Sequence, residues 1–393
     1  MRLSFILITF NFFASCSTTK TLLINSEAMQ VAVHNLCDKE IALLGEASHG
    51  DGETFRFKVE LIKRLISECG FKGIFTESGI YAYVPMSKKE DSNQIVDADE
   101  IRTSTLWLWG RTKEFSELAD YLAAEINRGN KILIGGIDEQ FSGLRSTATL
   151  AQDLTSETDV SPDCGKRIAS YTGGGYYKTK ALFTHENENK LIECITKIVR
   201  TVPPSKGSQR WTSIEAQSLL KIIHEDFNEN RDASPLGEKS QFNHRDLSMF
   251  ENFQILKSQL PPKAKVIVWA ASTHLAKTHN GISDMPAGTI PFGAHVHKTY
   301  GQRAYALAFT AASGSYGWIK AKPEIIPAAP SDSLESKVQP SNSEDFKFLT
   351  NNELSSLGQL QARSLGYAFK TADWAKVFDG MVWIREEHPP AKL

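Results

Sequence analysis

Leu43-Leu44-Gly45-Glu46-Ala47-Ser48-His49-Gly50 is the stretch that decides how this chain reads. Ile41 to Leu44 is a short apolar run of the kind a buried strand uses. Just after it, Phe55, Val59, Ile62, Leu65, Ile66 and Cys69 recur at helical spacing. Glu46 and His49 therefore fall in a strand-to-helix turn, at the carboxyl end of the strand. In open α/β sheets ligands bind along that edge. A carboxylate and an imidazole in such a turn can share a proton or a ligand.

The rest of the chain repeats this placement. Further apolar runs predict strands at Gly73–Thr76, Lys131–Ile134, Lys265–Trp269, Ala304–Phe309 and Met381–Ile384. Helical periodicity lies between them, at Glu53–Cys69, Lys113–Asn127, Ile214–Glu229 and His244–Leu260. The alternation predicts an α/β fold, a mainly parallel sheet flanked by helices. Strand signal fades between Gln140 and Asn243, where Gly173-Gly174-Gly175 and then helical pattern appear. We read residues 141–243 as a helical insertion over the C-terminal strand edge, inside one domain spanning 17–393. Lys322 to Asp345, rich in Pro, Ser and Ala, reads as a surface connection.

Four predicted strands lead into ionisable side chains: the first to Glu46 and His49, the second to Glu77, the third to Asp138, and the fourth, through Ala270, to Ser272, Thr273 and His274. One acidic residue after a strand often only caps the next helix. Four such ends on one edge of a parallel sheet can build a site. A histidine beside a carboxylate that fixes its tautomer takes a proton from water near neutral pH, which is general-base hydrolysis. No Gly-x-Ser-x-Gly elbow occurs, so a nucleophilic serine is not expected. His224-Glu225 and His185-Glu186 lack the second histidine of His-Glu-x-x-His. No CxxC spacing suggests structural zinc, and no cofactor is expected. Glu46, His49, Glu77 and His274 would nonetheless make a nitrogen/oxygen ligand set, which keeps a metal-dependent hydrolase as an alternative.

Arg245 and Asp246 are read as opening a helix, with Arg245 at the cleft wall. Trp107, Trp109 and Trp211 are candidates to line the cleft, and Tyr81 to Pro85 to floor it. His279 and His295 read as surface or loop histidines. Cys69, on the apolar helix face, reads as a buried free thiol, whereas Cys164 and Cys194 could pair in an oxidising compartment.

The 393 residues are 41% hydrophobic and 23% charged with a net charge of -2, ordinary for a globular protein and without the basic excess of a nucleic-acid binder. Residues 1–16 stand apart. Arg2 precedes a mostly apolar run from Leu3 to Phe13, too short to span a bilayer, and Ala14-Ser15-Cys16 follows. Small residues before a cysteine resemble a bacterial lipobox. The segment reads as a lipoprotein-type signal peptide with Cys16 as the lipidated residue. The expected location is the cell envelope, membrane-anchored and facing the periplasm or on the outer membrane.

Leu44-Gly45-Glu46-Ala47-Ser48-His49-Gly50, with Glu53, Lys58 and Glu77 at their intervals, resembles the opening signature of the erythromycin esterase family. Collinear similarities follow at Trp109 with Thr112 and Glu114, at Gly136-Ile137-Asp138-Glu139-Gln140, at His244–Asn252, at Val268-Trp269-Ala270 and at Gly293-Ala294-His295 with Tyr300-Gly301. The resemblance implies hydrolysis of an ester or lactone, macrolide-esterase-like, with His49 as the base that activates water. It implies that Glu46 orients His49, that Glu77 shapes the water site, and that Lys58 polarises the carbonyl or balances the carboxylates. It places Trp109, Asp138 and Arg245 at the substrate. His274 matches the second histidine of a Trp-Ala-His-Asn-x-His motif whose first histidine is Ala271 here and whose asparagine is Ser272. Ala271 keeps open a further reading, a lipoprotein that binds a ligand without turning it over.

Overall fold

The computed structural model describes residues 26–142, 146–173, 185–202, 209–226, 238–338 and 344–393. The expected signal segment with Cys16, and Gly174 and Gly175, lie outside the described residues.

Strand β1 (Ile41–Leu44) is buried on both sides, as its unbroken apolar run requires, and lies inside the main sheet. The other strands are β2 (Phe71–Gly79), β3 (Leu133–Asp138), β4 (Lys265–Trp269), β5 (Ala304–Tyr316), β6 (Glu324–Ile325), β7 (Phe346–Thr350), β8 (Gln359–Ala362), β9 (Lys370–Asp373) and β10 (Gly380–Glu387). The main order is β3-β2-β4-β1-β5-β10-β7, with β6 on β5. Neighbours from β3 to β10 run parallel; β7 and β6 pair antiparallel, and β8 and β9 form a separate antiparallel ribbon. The mainly parallel sheet is thus present, and β6 to β9 are the strands that sequence reading missed.

Side chains of a strand alternate between faces, and here that divides the core. Ile41 and Leu43 join one apolar cluster, Ala42 and Leu44 the other. Helices α1 (Glu27–Cys37), α2 (Gly52–Cys69) and α3 (Lys113–Asn127) cover the second face through Met29, Leu36, Phe55, Leu65, Phe115 and Leu122. The first face carries α4 (Ser146–Ser156), α5 (Pro162–Gly173), α6 (His185–Thr201), α7 (Gln209–Asp226), α8 (Glu238–Ser258) and α9 (Phe292–Tyr300).

Helices α4 to α7 dock on the segment that follows β2. Lys88 donates to Glu157 (2.8 Å) and Thr212 (2.7 Å), while Arg210 and the Trp211 indole donate to Asp91 (2.7 and 2.8 Å). Ser218 of α7 donates to Asn252 of α8 (2.9 Å), whose amide donates to the Ile137 carbonyl in β3 (3.0 Å). The helical layer is thereby fixed against the carboxyl ends of β2 and β3.

Some expectations are corrected. Cys69 is not a free thiol: it is disulfide-bonded to Cys37. Each cysteine is the last residue of its helix, and α1, absent from the predicted elements, is what brings Cys37 there. Cys164 and Cys194 are paired as well, joining α5 to α6. Arg245 and Asp246 do not open a helix, because α8 begins at Glu238 and places them about two turns inside it. Within Lys322 to Asp345, Ile326, Leu334 and Glu335 are buried, so that segment is only partly a surface connection.

Candidate active site

The carboxyl ends of β3, β2, β4 and β1 lie side by side and carry Asp138, Glu77, His274 and the Glu46–His49 turn. Glu46 is fully buried and accepts four donors. Its Oε1 takes His49 Nδ1 at 2.7 Å and the Trp109 indole at 2.9 Å; its Oε2 takes Lys58 Nζ at 2.8 Å and the Trp269 indole at 2.7 Å. Four donors saturate the lone-pair directions of a carboxylate. Burial alone would raise the pKa of Glu46, but Lys58 and His49 outweigh it and hold the group below the usual value. Glu46 is therefore an anion with no capacity left for substrate or metal.

Lys58 is buried too, with its ammonium 4.1 Å from the centre of the Trp269 ring. Desolvation pulls its pKa down to about 8 against the opposing pull of Glu46. Buried against Glu46, it balances the carboxylate; a role on a carbonyl in the cleft does not fit that position.

His49 is oriented by this base. Glu46 fixes Nδ1 as the donor, the Trp109 ring meets the imidazole edge-on at 5.2 Å, and the side chain keeps 21% exposure. Nε2 makes no hydrogen bond among the described residues. Burial lowers the imidazole pKa, but the bond to Glu46 and the charges of Glu77 and Glu46 prevail and raise it above the ordinary value.

Glu77 faces both histidines. Its Oε1 accepts from Arg245 Nη2 (2.9 Å) and lies 3.3 Å from His274 Nε2, while its Oε2 accepts the Ala271 backbone N–H (2.9 Å). Burial opposes its charge, yet His274, His49 and Arg245 hold its pKa well below normal. Asp138 takes two Arg245 bonds, 3.2 Å from Nε and 2.6 Å from Nη2. Ala271, standing where the family motif has a histidine, contributes to Glu77 through backbone alone.

His274 is held differently. Its Nδ1 lies 2.7 Å from Asp246, whose other oxygen accepts the Phe292 N–H at 2.7 Å. Phe242 stacks flat on the ring at 5.3 Å. Burial disfavours the charged ring, but Asp246 and Glu77 outweigh it and push the pKa up to about 10. An imidazolium donates Nε2–H to Glu77, so Arg245 Nη1, 3.2 Å from the same nitrogen, is a second donor beside it and not a partner. Three carboxylates around two cations make that crowding tolerable.

Other candidates fall elsewhere. Trp211 is an anchor of α7, and Tyr83 bonds Thr76 and Thr105 within the core. His279 is a buried histidine, bonded to Thr289 and to the Thr273 carbonyl (3.0 and 2.8 Å), behind His274. His295 stacks on Phe250. Sequence reading missed the site roles of Asp246 and Trp269. Adjacency of Arg245 and Asp246 on one helix was the available signal, since neighbours about 100° apart can reach different groups of one site, here Glu77 with Asp138 and the His274 ring.

The donor set does not suit a cation. Glu46 is saturated, Glu77 is engaged, and Lys58 and Arg245 place positive charge where a metal would lie. No group of metal-ligating side chains suited to an ion occurs among the described residues.

The profile of the family described as erythromycin esterase matches residues 66–387. YbfO of Bacillus subtilis (strain 168), a candidate hydrolase by its description, is 24% identical over 386 residues, covering 89% of this chain and 84% of its own. A solved succinoglycan biosynthesis protein superposes with a TM-score of 0.73 at 17% identity, covering 94% and 93% of the two chains. A Bacillus cereus protein does so at 0.69, with 18% identity and 94% of each chain. A variant of erythromycin esterase EreC in its open conformation gives 0.67, with 17% identity over 94% and 97%. The structural likenesses establish the shared fold.

Proposed function

The chain belongs to the erythromycin esterase family, and from that premise we propose that it hydrolyses a carboxylic ester or lactone with His49 as general base. The family and the hydrolase description of the B. subtilis relative support a hydrolase role. The carrying observation is the Glu46–His49 bond of 2.7 Å, which commits Nδ1 and leaves Nε2 for water.

Water hydrogen-bonded to Nε2 loses a proton to His49 as its oxygen attacks the carbonyl carbon. The imidazolium formed is stabilised by Glu46, which stays ionised. When the carbon–oxygen bond to the leaving group breaks, His49 returns the proton to the departing alkoxide. Arg245 and His274 supply positive charge toward the developing oxyanion. Trp107, Leu247, Ile290 and Trp318 are exposed on segments that adjoin the site, which favours a substrate with a sizeable apolar part.

Ala271 favours one competing reading, a binding protein with little turnover, because it removes an imidazole from the cleft. A panel of aryl esters, aliphatic lactones and macrolides, run on wild type and His49→Ala, tests the proposal. Turnover that disappears in the variant is expected; turnover unchanged by it refutes the base, and affinity without turnover establishes binding.

The chain's place in the cell belongs to the same proposal. Two disulfides among the described residues suit an oxidising compartment. Together with residues 1–16 they support an envelope lipoprotein tethered to the membrane through Cys16. Cys16→Ser should move the protein from the membrane fraction to the soluble one.

A further inference from the structure

Helix α2 begins immediately after the catalytic turn, and its first N–H groups are satisfied in an unusual way. An aspartate at the N-cap ordinarily accepts N–H groups two or three residues ahead. Asp51 occupies that position but makes no such bond. The donors go to the far end of the chain. Gly52 N–H donates to the His388 carbonyl (2.7 Å), Glu53 N–H to Glu387 Oε1 (2.6 Å), and Thr54 N–H and hydroxyl to Glu387 Oε2 (3.2 and 2.8 Å). Gly52 permits this approach, since a Cβ there would lie 2.7 Å from the His388 oxygen. Glu387 thus caps α2 from β10.

Asp51 turns back instead. Its Oδ2 accepts the Ser48 N–H at 2.7 Å, next to His49, and its buried carboxyl also hydrogen-bonds the Tyr367 hydroxyl. On its far side stands Tyr367, a bulky residue at φ 59°, where side chains rarely sit, with its ring stacked 4.5 Å from Tyr316. We propose that Asp51 is a positioning residue for His49, freed for that task because Glu387 has taken over the capping of α2. The inference rests on the reading of His49 as the base.

The groups facing Asp51 are Glu46 and Lys58 from the site, Glu387 from β10, and Tyr316 and Tyr367. Burial and the neighbouring Glu387 raise the Asp51 pKa well above normal, and burial brings Glu387 to about 8. Asparagine keeps an oxygen that can accept the Ser48 N–H and is therefore the conservative variant.

The test is the titration of His49 by NMR on histidine-labelled protein, with the resonance assigned by its loss in His49→Ala. Asp51→Ala should move the His49 midpoint toward that of free histidine and lower kcat about tenfold or more with KM little changed. Asp51→Asn should recover most of both. Thr54→Val, which removes only a bond to Glu387, should leave the His49 midpoint in place. A folded Asp51→Ala, or Asp51→Asn if the alanine variant does not fold, overturns the inference in these ways: the alanine protein by an unmoved midpoint, the asparagine protein by a midpoint and kcat far from wild type. The titration needs no substrate. A chain that turns over no ester yet shows the shift keeps Asp51 and refutes the hydrolase; one that turns over esters without the shift does the reverse.

Discussion

Two histidines that follow adjacent strands each hold a carboxylate at 2.7 Å, one from the same turn and one from helix α8, yet the two pairs are held differently. Glu46 spends its remaining acceptor capacity on two indoles and Lys58, which moderates its pull on His49. The His49 side chain keeps 21% exposure and a free Nε2. His274 keeps only 9%, lies between Asp246, Glu77 and a stacked phenylalanine, and is held as a cation. A base must change protonation during turnover; an electrostatic group must not. The pair that can exchange a proton is the one whose carboxylate is shared with other donors.

The largest break in this comparison is His49→Ala, which should lower kcat by about 10²–10⁴-fold, the usual worth of a general base. His274→Gln should cost less, about 10²-fold, as a positive charge near the oxyanion is lost. The two should also differ in pH dependence. With His49 as the proposed base its neutral form is the active one, and its pKa lies above the ordinary value, so kcat/KM should rise through an acid limb above about pH 6.5. That limb should survive in His274→Gln and vanish from the residual rate of His49→Ala. A limb lost in His274→Gln alone would exchange the roles.

Stability separates the pairs more gently. The His274 pKa is raised from its unfolded value to about 10. Its contribution is therefore complete below the unfolded pKa of about 6.5 and is lost as pH rises toward 10, amounting to a few kcal/mol at most. The Tm of wild type should decline across that window, and His274→Gln should flatten the decline; equal slopes would show that the folded ring is not charged.

How much of this was legible in the sequence follows from what is local. β1 and β4 were readable to the residue, because their apolar runs are too short for a helix and, in β4, rich in β-branched residues. Glu46, His49, Glu77, Asp138 and His274 were legible as strand ends, since parallel neighbours put such ends on one edge. β7, β8 and β9 were not, because they lie at an edge or outside the main sheet and mix polar with apolar residues. The partners of the site were hidden for a different reason. Asp246 reaches His274 from a helix 28 residues away, Trp269 reaches Glu46 across 223, and Glu387 reaches Thr54 across 333. No periodicity encodes a bond of that span; only the packed sheet does.

The smallest effect tests the moderating indoles. Trp109 and Trp269 both donate to Glu46, but Trp109 bonds the oxygen that holds His49 and also meets the imidazole edge-on. Trp269 bonds the oxygen shared with Lys58 and packs among Phe55 and Phe115. Trp109→Phe keeps a ring and removes an N–H donated to a charged group, worth about 1.5–3 kcal/mol. With one donor fewer, the Oε1 side of Glu46 grips the His49 proton harder and the His49 pKa rises. The acid limb should therefore move to higher pH; a rise of about 0.5–1 unit, part of that bond's worth, lowers kcat at neutral pH about 3–10-fold. Trp269→Phe should instead lower Tm and move the limb less, because Lys58 remains on that oxygen. Equal shifts in the two variants would mean that Glu46 acts on His49 only as a charge, and a shift to lower pH in Trp109→Phe would mean that the indole, not the carboxylate, sets the base.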